Sequence, residues 1–144
     1  MATEEDVKLS CYFDGSMGPS GPKAIAAYGY VVKDEEGKTV HSSSGRAAKG
    51  VDASCNVAEF SGLYAAMFWV HTHQPEAEVV FYGDSQLVIM LMRGEAKARK
   101  GKYLPYYRKA IALALPYIEK KQWSFEWIGR AMNSEADKLS QYRF

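Results

Sequence analysis

The chain has 144 residues, is 47% hydrophobic and 24% charged, and carries a formal net charge of +1, which suits one folded domain burying about 68% of its unfolded surface. Two cysteines provide no disulfide framework, and no Cys/His spacing suggests zinc. No apolar stretch reaches the ~20 residues of a membrane helix and Met1–Lys8 is short and acidic, so the expectation is a single cytoplasmic domain over residues 1–144, with no membrane partner.

Val7–Asp14 has strand character and ends at Gly15, before a Gly- and Pro-rich loop over Ser16–Pro22. Cys11 lies in that strand and reads as an inert core thiol. Ala24–Lys33 is a second strand, carried by Ile25, Tyr28, Tyr30, Val31 and Val32. Asp34-Glu35-Glu36-Gly37 is a hairpin turn, Lys38–Gly45 a third strand and Ala47–Ala53 a loop. Ser54 suits the N-cap of a helix running to Val70, in which Val57, Phe60, Leu63, Tyr64, Met67 and Phe68 make an apolar core face. Glu59 lies off the centre of that face, and His71 and His73 at the helix end read as capping or exposed residues.

Glu78–Tyr82 is a short buried strand, and Gly83-Asp84-Ser85 turns it into a helix over Gln86–Met92. Gly94–Lys102 is a loop within a strongly basic stretch. Between Arg93 and Lys109 there are seven basic residues (Arg93, Lys97, Arg99, Lys100, Lys102, Arg108, Lys109) against Glu95, a local net of +6 that leaves −5 for the rest. Such a block reads as an anion-binding surface. Tyr103–Lys121 is helical, with Pro116 expected to kink or divide it. Gln122–Ile128 is the last strand, with Trp123 and Trp127 core-facing or half-buried, and Asn133 or Ser134 caps a final helix. The order β-β-β-α-β-α-α-β-α implies an α/β fold with a five-stranded mixed sheet flanked by helices.

Four acids stand in short local patterns: Tyr-Phe-Asp-Gly-Ser (12–16), Asn-Val-Ala-Glu-Phe (56–60), Phe-Tyr-Gly-Asp-Ser-Gln (81–86) and Asn-Ser-Glu-Ala-Asp-Lys-Leu (133–139). Asp14 and Asp84 each close an apolar run that should be buried, whereas Glu35, Glu36 and Glu119 read as solvated surface charges. Carboxylates from distant segments, brought together, suit a hard divalent cation and metal-dependent phosphodiester chemistry.

These four patterns, in this order and context, resemble type 1 ribonuclease H over almost the whole chain, from about Val7 to Leu139. The motifs that carry the resemblance are Asp14-Gly15-Ser16, Asn56-x-x-Glu59, Asp84-Ser85-Gln86 and Asn133-x-x-Ala136-Asp137-x-Leu139. The resemblance implies a ribonuclease H-like fold and an endonuclease that hydrolyses the RNA strand of RNA–DNA hybrids. It implies two Mg²⁺ ions per site, with Mn²⁺ as a possible substitute, and 5′-phosphate and 3′-hydroxyl products. Asp14, Glu59, Asp84 and Asp137 are then the catalytic metal ligands, with Asp14 bridging both ions and Asp137 on the second. It further implies substrate contacts from Gly15, Ser16, Ser54, Asn56, Ser85, Gln86, Arg99, Lys100, Lys102 and Arg130. Of these, Asn56 and Gln86 match minor-groove positions, where the 2′-hydroxyl distinguishes RNA, and Ser54 matches a DNA-phosphate position. The enzyme is expected to act as a monomer.

Many bacterial relatives carry a His in the loop before the last acid. Here that segment, Gly129-Arg130-Ala131-Met132, has none, and is similar to the archaeal-type branch. The basic segment also lacks a clear Trp partner. Other readings are a family member that also cuts double-stranded RNA, an exonuclease or recombinase of the same fold, and a non-catalytic nucleic-acid-binding domain. The last usually loses acids that are all present here.

Overall fold

The computed structural model describes residues 7–18 and 21–141. The first six residues of the acidic leader and part of the expected loop before Pro22 lie outside them. Strands β1 (Lys8–Gly18), β2 (Ile25–Lys33) and β3 (Thr39–Lys49) precede α1 (Cys55–His73), β4 (Glu78–Gly83), α2 (Gln86–Met92), α3 (Leu104–Glu119), β5 (Trp123–Trp127) and α4 (Ser134–Ser140). The five strands form one mixed sheet in the order β3-β2-β1-β4-β5. β1 and β2 pair antiparallel, as do β2 and β3, and β4 runs parallel to both β1 and β5. The element order and the mixed sheet are those expected from the sequence.

Two boundaries move for one reason. β1 continues through Ser16 and Met17 to Gly18, because these residues pair with Ala27, Ala26 and Ile25. β3 continues past Gly45 to Lys49, paired to β2 across an irregularity at Ala26/Ala27. Small, fully buried Ala26 and Ala27 are weak strand signals alone, yet the ladder on both sides supplies the partners that their backbones need. Pro116 does not divide α3, which runs as one helix to Glu119.

One face of the sheet packs on α1. Cys11, Phe13, Phe60, Leu63, Met67, Phe81 and Val88 are buried together there. The expected stripe on α1 is corrected at Phe68, which is 51% exposed, while Ala58, Gly62 and Ala66 are buried instead. Small residues on that arc bring the helix backbone against β1. A Cβ on Gly15 would lie 2.4 Å from the Glu59 main-chain nitrogen and 2.5 Å from the Ala58 carbonyl carbon, and one on Gly62 would lie 3.0 Å from the Asp14 main-chain oxygen. Of the two strand tryptophans, Trp123 is buried and Trp127 is half exposed. No helix among the described residues is long and apolar enough to cross a membrane.

Candidate active site

Asp14 lies on the central strand β1, opposite Gly29 of β2. Asp84 follows the last residue of the neighbouring parallel strand β4, where Ser85 caps α2 by accepting from the Val88 N–H at 3.3 Å. Two parallel neighbours carry their C-terminal ends to the same edge of the sheet, so these two acids are adjacent by topology. Glu59 comes from the second turn of α1, whose first turn is fixed by Ser54 Oγ accepting from the Val57 N–H at 3.1 Å. The contact at Gly15 brings that turn onto β1. One carboxylate oxygen each from Asp14, Glu59 and Asp84 lie within 4.8 Å of one another.

Asp14 and Glu59 are 4% and 7% exposed. Burial first, then the hydrogen bond and charge of Asp14 and the charge of Asp84, push the Glu59 carboxyl up to about 10. Asp14 is pushed up to about 7, by burial first; the Asp84 charge and a hydrogen bond with Asp137 add to this, while hydrogen bonds from Glu59 and the Gly15 N–H work against it. The cause is physical: charges out of water and close to like charges resist ionisation. Asp137, from α4, stands outside the group of three, and its Oδ2 accepts from Gln141 Nε2 at 3.2 Å.

A metal fits this donor set. Glu59 Oε2 is buried and has no hydrogen-bond partner among the described residues, beside two further carboxylates and no Cys or His. An all-oxygen cluster of carboxylates suits a hard divalent cation.

The remaining predicted residues spread outward. Asn56 is half-buried on the first turn of α1 and Gln86 is exposed on the first turn of α2, flanking the acids. Gly15 is a packing residue against α1. Ser16 Oγ donates to the Ser140 carbonyl at 2.6 Å and so ties β1 to α4. Arg130 is exposed in a short 3-10 turn before α4. Arg99, Lys100 and Lys102 are exposed, and their loop is anchored: the Arg99 N–H donates to Tyr103 Oη at 3.0 Å, and Tyr103 stacks on Phe60, the neighbour of Glu59. Arg93 leaves the cationic block, because it is held by Glu95 at 3.1 Å, by Glu126 and by the Phe125 carbonyl at 3.0 Å.

Two residues make contacts that were not legible in the sequence. Asn133 occupies the N-cap position of α4 but makes no capping bond. Its Nδ2 donates to the Phe13 carbonyl at 2.8 Å and, at a longer 3.4 Å, to Asp84 Oδ2. Trp127 Nε1 donates to the Asp84 carbonyl at 3.1 Å. The place of Asn133 four residues before Asp137 was a signal; Trp127 offered none.

A five-stranded sheet of this order, with Asp14 on its central strand, Asp84 just past the end of the parallel neighbour and Glu59 on α1, is a ribonuclease H-like fold. The chain belongs to the reverse transcriptase-like family, whose model matches residues 13–143. It is 37% identical over 127 residues to the bifunctional protein Rv2228c of Mycobacterium tuberculosis, an alignment covering 88% of this chain and 32% of that protein. The chain thus spans about a third of the curated relatives it matches. The N-terminal RNase H domain of Rv2228c, solved as a fusion with maltose binding protein, superposes with a TM-score of 0.76 at 30% identity, covering 93% of this chain and 91% of that one. LC11-RNase H1, solved in complex with an RNA/DNA hybrid, gives a TM-score of 0.77 at 27% identity, with 92% and 93% covered.

Proposed function

We propose that this chain is an endonuclease that hydrolyses the RNA strand of RNA–DNA hybrids with two divalent ions, leaving 5′-phosphate and 3′-hydroxyl ends. The observation that carries the reading is the convergence of Asp14, Glu59 and Asp84 oxygens within 4.8 Å at one edge of the sheet. The similarity to LC11-RNase H1, a protein solved with an RNA/DNA hybrid, supports the substrate.

Bound Mg²⁺ or Mn²⁺ would supply a hydroxide-like nucleophile and charge stabilisation at the leaving oxygen. Asp14, Glu59 and Asp84 would hold the ions, with Asp137 completing the set from α4. Asn56 and Gln86 flank the acids and would face the minor groove, where the 2′-hydroxyl marks RNA. Ser54 would hold a phosphate of the DNA strand. Arg99, Lys100, Lys102 and Arg130 would contact backbone phosphates, which position a duplex without reading its bases. Gly15, Ser16 and Ser85, next to Asp14 and Asp84 in the chain, would complete the substrate contacts. All four acids come from one chain, so a monomer suffices. The segment Gly129–Met132 holds no His, which supports a likeness to the archaeal-type branch.

The test is cleavage of matched RNA–DNA, RNA–RNA and DNA–DNA duplexes with Mg²⁺, Mn²⁺ or EDTA. Metal-dependent cleavage of the hybrid's RNA strand is expected. Cleavage that survives EDTA, or equal cutting of DNA–DNA, would overturn the reading; added cutting of RNA–RNA would widen the substrate range.

A further inference from the structure

Asp84 is held differently from the other two acids of the cluster. Asp14 sits within a strand, paired to β2, and Glu59 sits within a helix of 19 residues. Asp84 falls between the last residue of β4 and the Ser85 cap of α2, so neither a ladder nor a helix fixes its backbone. What reaches it instead are two uncharged side chains, from the last residue of β5 and from the turn that leads into α4. Trp127 Nε1 donates to its main-chain carbonyl, and Asn133 Nδ2 approaches its Oδ2. The Ile128 N–H, donating to the Gly83 carbonyl at 2.9 Å, carries the β4–β5 connection up to the residue before Asp84.

We propose that Trp127 and Asn133 are positioning residues that aim Asp84 at the metal. The C-terminal segment that carries Asp137 would thereby also set the orientation of a ligand on the far side of the cluster. The inference rests on the reading of the acids as metal ligands.

The chemistry at Asn133 is directional. The side chain is 1% exposed, and its shorter bond goes to the carbonyl of Phe13, the residue before Asp14. A flipped amide would set its oxygen against that carbonyl and leave two buried acceptors facing each other. The Phe13 contact therefore keeps the N–H₂ group turned toward both chain segments, and one amide spans the ends of β1 and β4. Trp127 is 50% exposed, so burial alone does not hold its ring. Its N–H bond to the Asp84 carbonyl fixes the indole and the turn together. Groups that hydrogen-bond a metal-ligating carboxylate orient it, and their loss typically costs about 10- to 100-fold in metal affinity or activity.

The experiment titrates Mn²⁺ by calorimetry into wild type, Trp127→Phe, Asn133→Ala, Asn133→Ser and Asp84→Asn, alongside steady-state cleavage of an RNA–DNA hybrid. Trp127→Phe and Asn133→Ala should each weaken Mn²⁺ binding about tenfold and lower kcat, with the hybrid KM little changed and kcat partly recovered at high Mn²⁺. Asn133→Ser, which keeps a donor, should fall between Asn133→Ala and wild type. In the Asp84→Asn background neither change should weaken Mn²⁺ binding further. Mn²⁺ affinity and kcat within twofold of wild type in folded Trp127→Phe and Asn133→Ala would overturn the proposal. If Asn133→Ala does not fold, Trp127→Phe decides alone, since it removes one N–H from a half-exposed ring. Wild type that binds Mn²⁺ but leaves the hybrid uncut would sink the proposed substrate and leave this inference standing on the calorimetry; wild type that binds no Mn²⁺ would overturn both.

Discussion

Asp14 and Glu59 bring carboxylate oxygens within 4.8 Å of each other where β1 touches α1, at the contact that Gly15 makes possible. Both carboxyls are buried beside Asp84, and both are shifted upward, Asp14 to about 7 and Glu59 to about 10. In the metal-free protein the pair holds protons at a pH where exposed acids have lost theirs. A divalent cation must displace those protons, so cation binding and proton release are one event.

This sets the sign of a pH dependence. The folded state binds more protons than the unfolded chain between the ordinary carboxylate range and the raised values, so metal-free stability falls as pH rises there. For Asp14 that window runs from the ordinary carboxylate value of 3.8 to about 7. With EDTA present, the melting temperature should decline across it. Mn²⁺ affinity should rise over the same range, with proton uptake by buffers of different ionisation enthalpy visible in calorimetry. Metal-free stability that climbs from pH 4 to pH 7, or Mn²⁺ affinity flat in pH, would contradict the shared site.

Asp14→Asn removes one buried acid from the cluster. Millimolar Mg²⁺ or Mn²⁺ should raise the wild-type melting temperature by mass action, and that shift should vanish in the variant. At pH 8 in EDTA the variant should melt a few degrees higher than wild type, because repulsion and the cost of a buried charge are relieved. A metal-induced shift of wild-type size in Asp14→Asn would show that the acids do not act as one site.

Cleavage should follow the same residues. Asp14→Asn or Asp84→Asn should abolish it, with binding of an RNA–DNA hybrid surviving, because on the proposed reading affinity comes from the cationic loop and the polar flanks rather than from the acids. Activity within tenfold of wild type in either variant would remove that residue from the catalytic set.

Gly15→Ala tests the packing beneath the site. The added methyl would meet backbone atoms of Ala58 and Glu59 at 2.5 and 2.4 Å, and backbone yields less readily than a flexible side chain. Overpacking of this kind costs about 1–3 kcal/mol, read as a lower urea midpoint. Mn²⁺ binding should weaken as well, since Asp14 and Glu59 are forced apart. Unchanged stability and unchanged Mn²⁺ binding together would contradict the close contact.

Replacing Arg99, Lys100 and Lys102 with alanine should raise KM far more than it lowers kcat, because uniform binding is lost. The log–log salt slope of hybrid binding should fall by about 0.9 per lost phosphate contact, or somewhat less on a hybrid. Arg93 should contribute little to that slope, since Glu95 and Glu126 already hold it. An unchanged KM and slope in the triple variant would shift the phosphate contacts to Arg108 and Lys109 on α3.

The sequence by itself determined the order of the elements, the Ser54 cap, the buried Cys11 and the four acid-bearing motifs. These are local matters: periodicity, capping chemistry and short patterns act over a few residues and can be read without knowing the fold. It could not determine that Glu59, off the centre of an apolar stripe, would be buried, or that Phe68, on the stripe, would be half exposed. The tertiary approach of α1 to β1 through Gly15 and Gly62 decided both, because it selected which arc of the helix meets the sheet. The extension of β1 and β3 likewise came from pairing partners in β2, not from the propensities of their own glycines and alanines. Arg93 looked like part of a basic surface until Glu126, on a strand 33 positions away, took its charge. Trp127 and Asn133 met Asp84 only after β4, β5 and α4 had packed. Contacts between distant segments have no local signature, so their consequences for the site exist only in the folded chain.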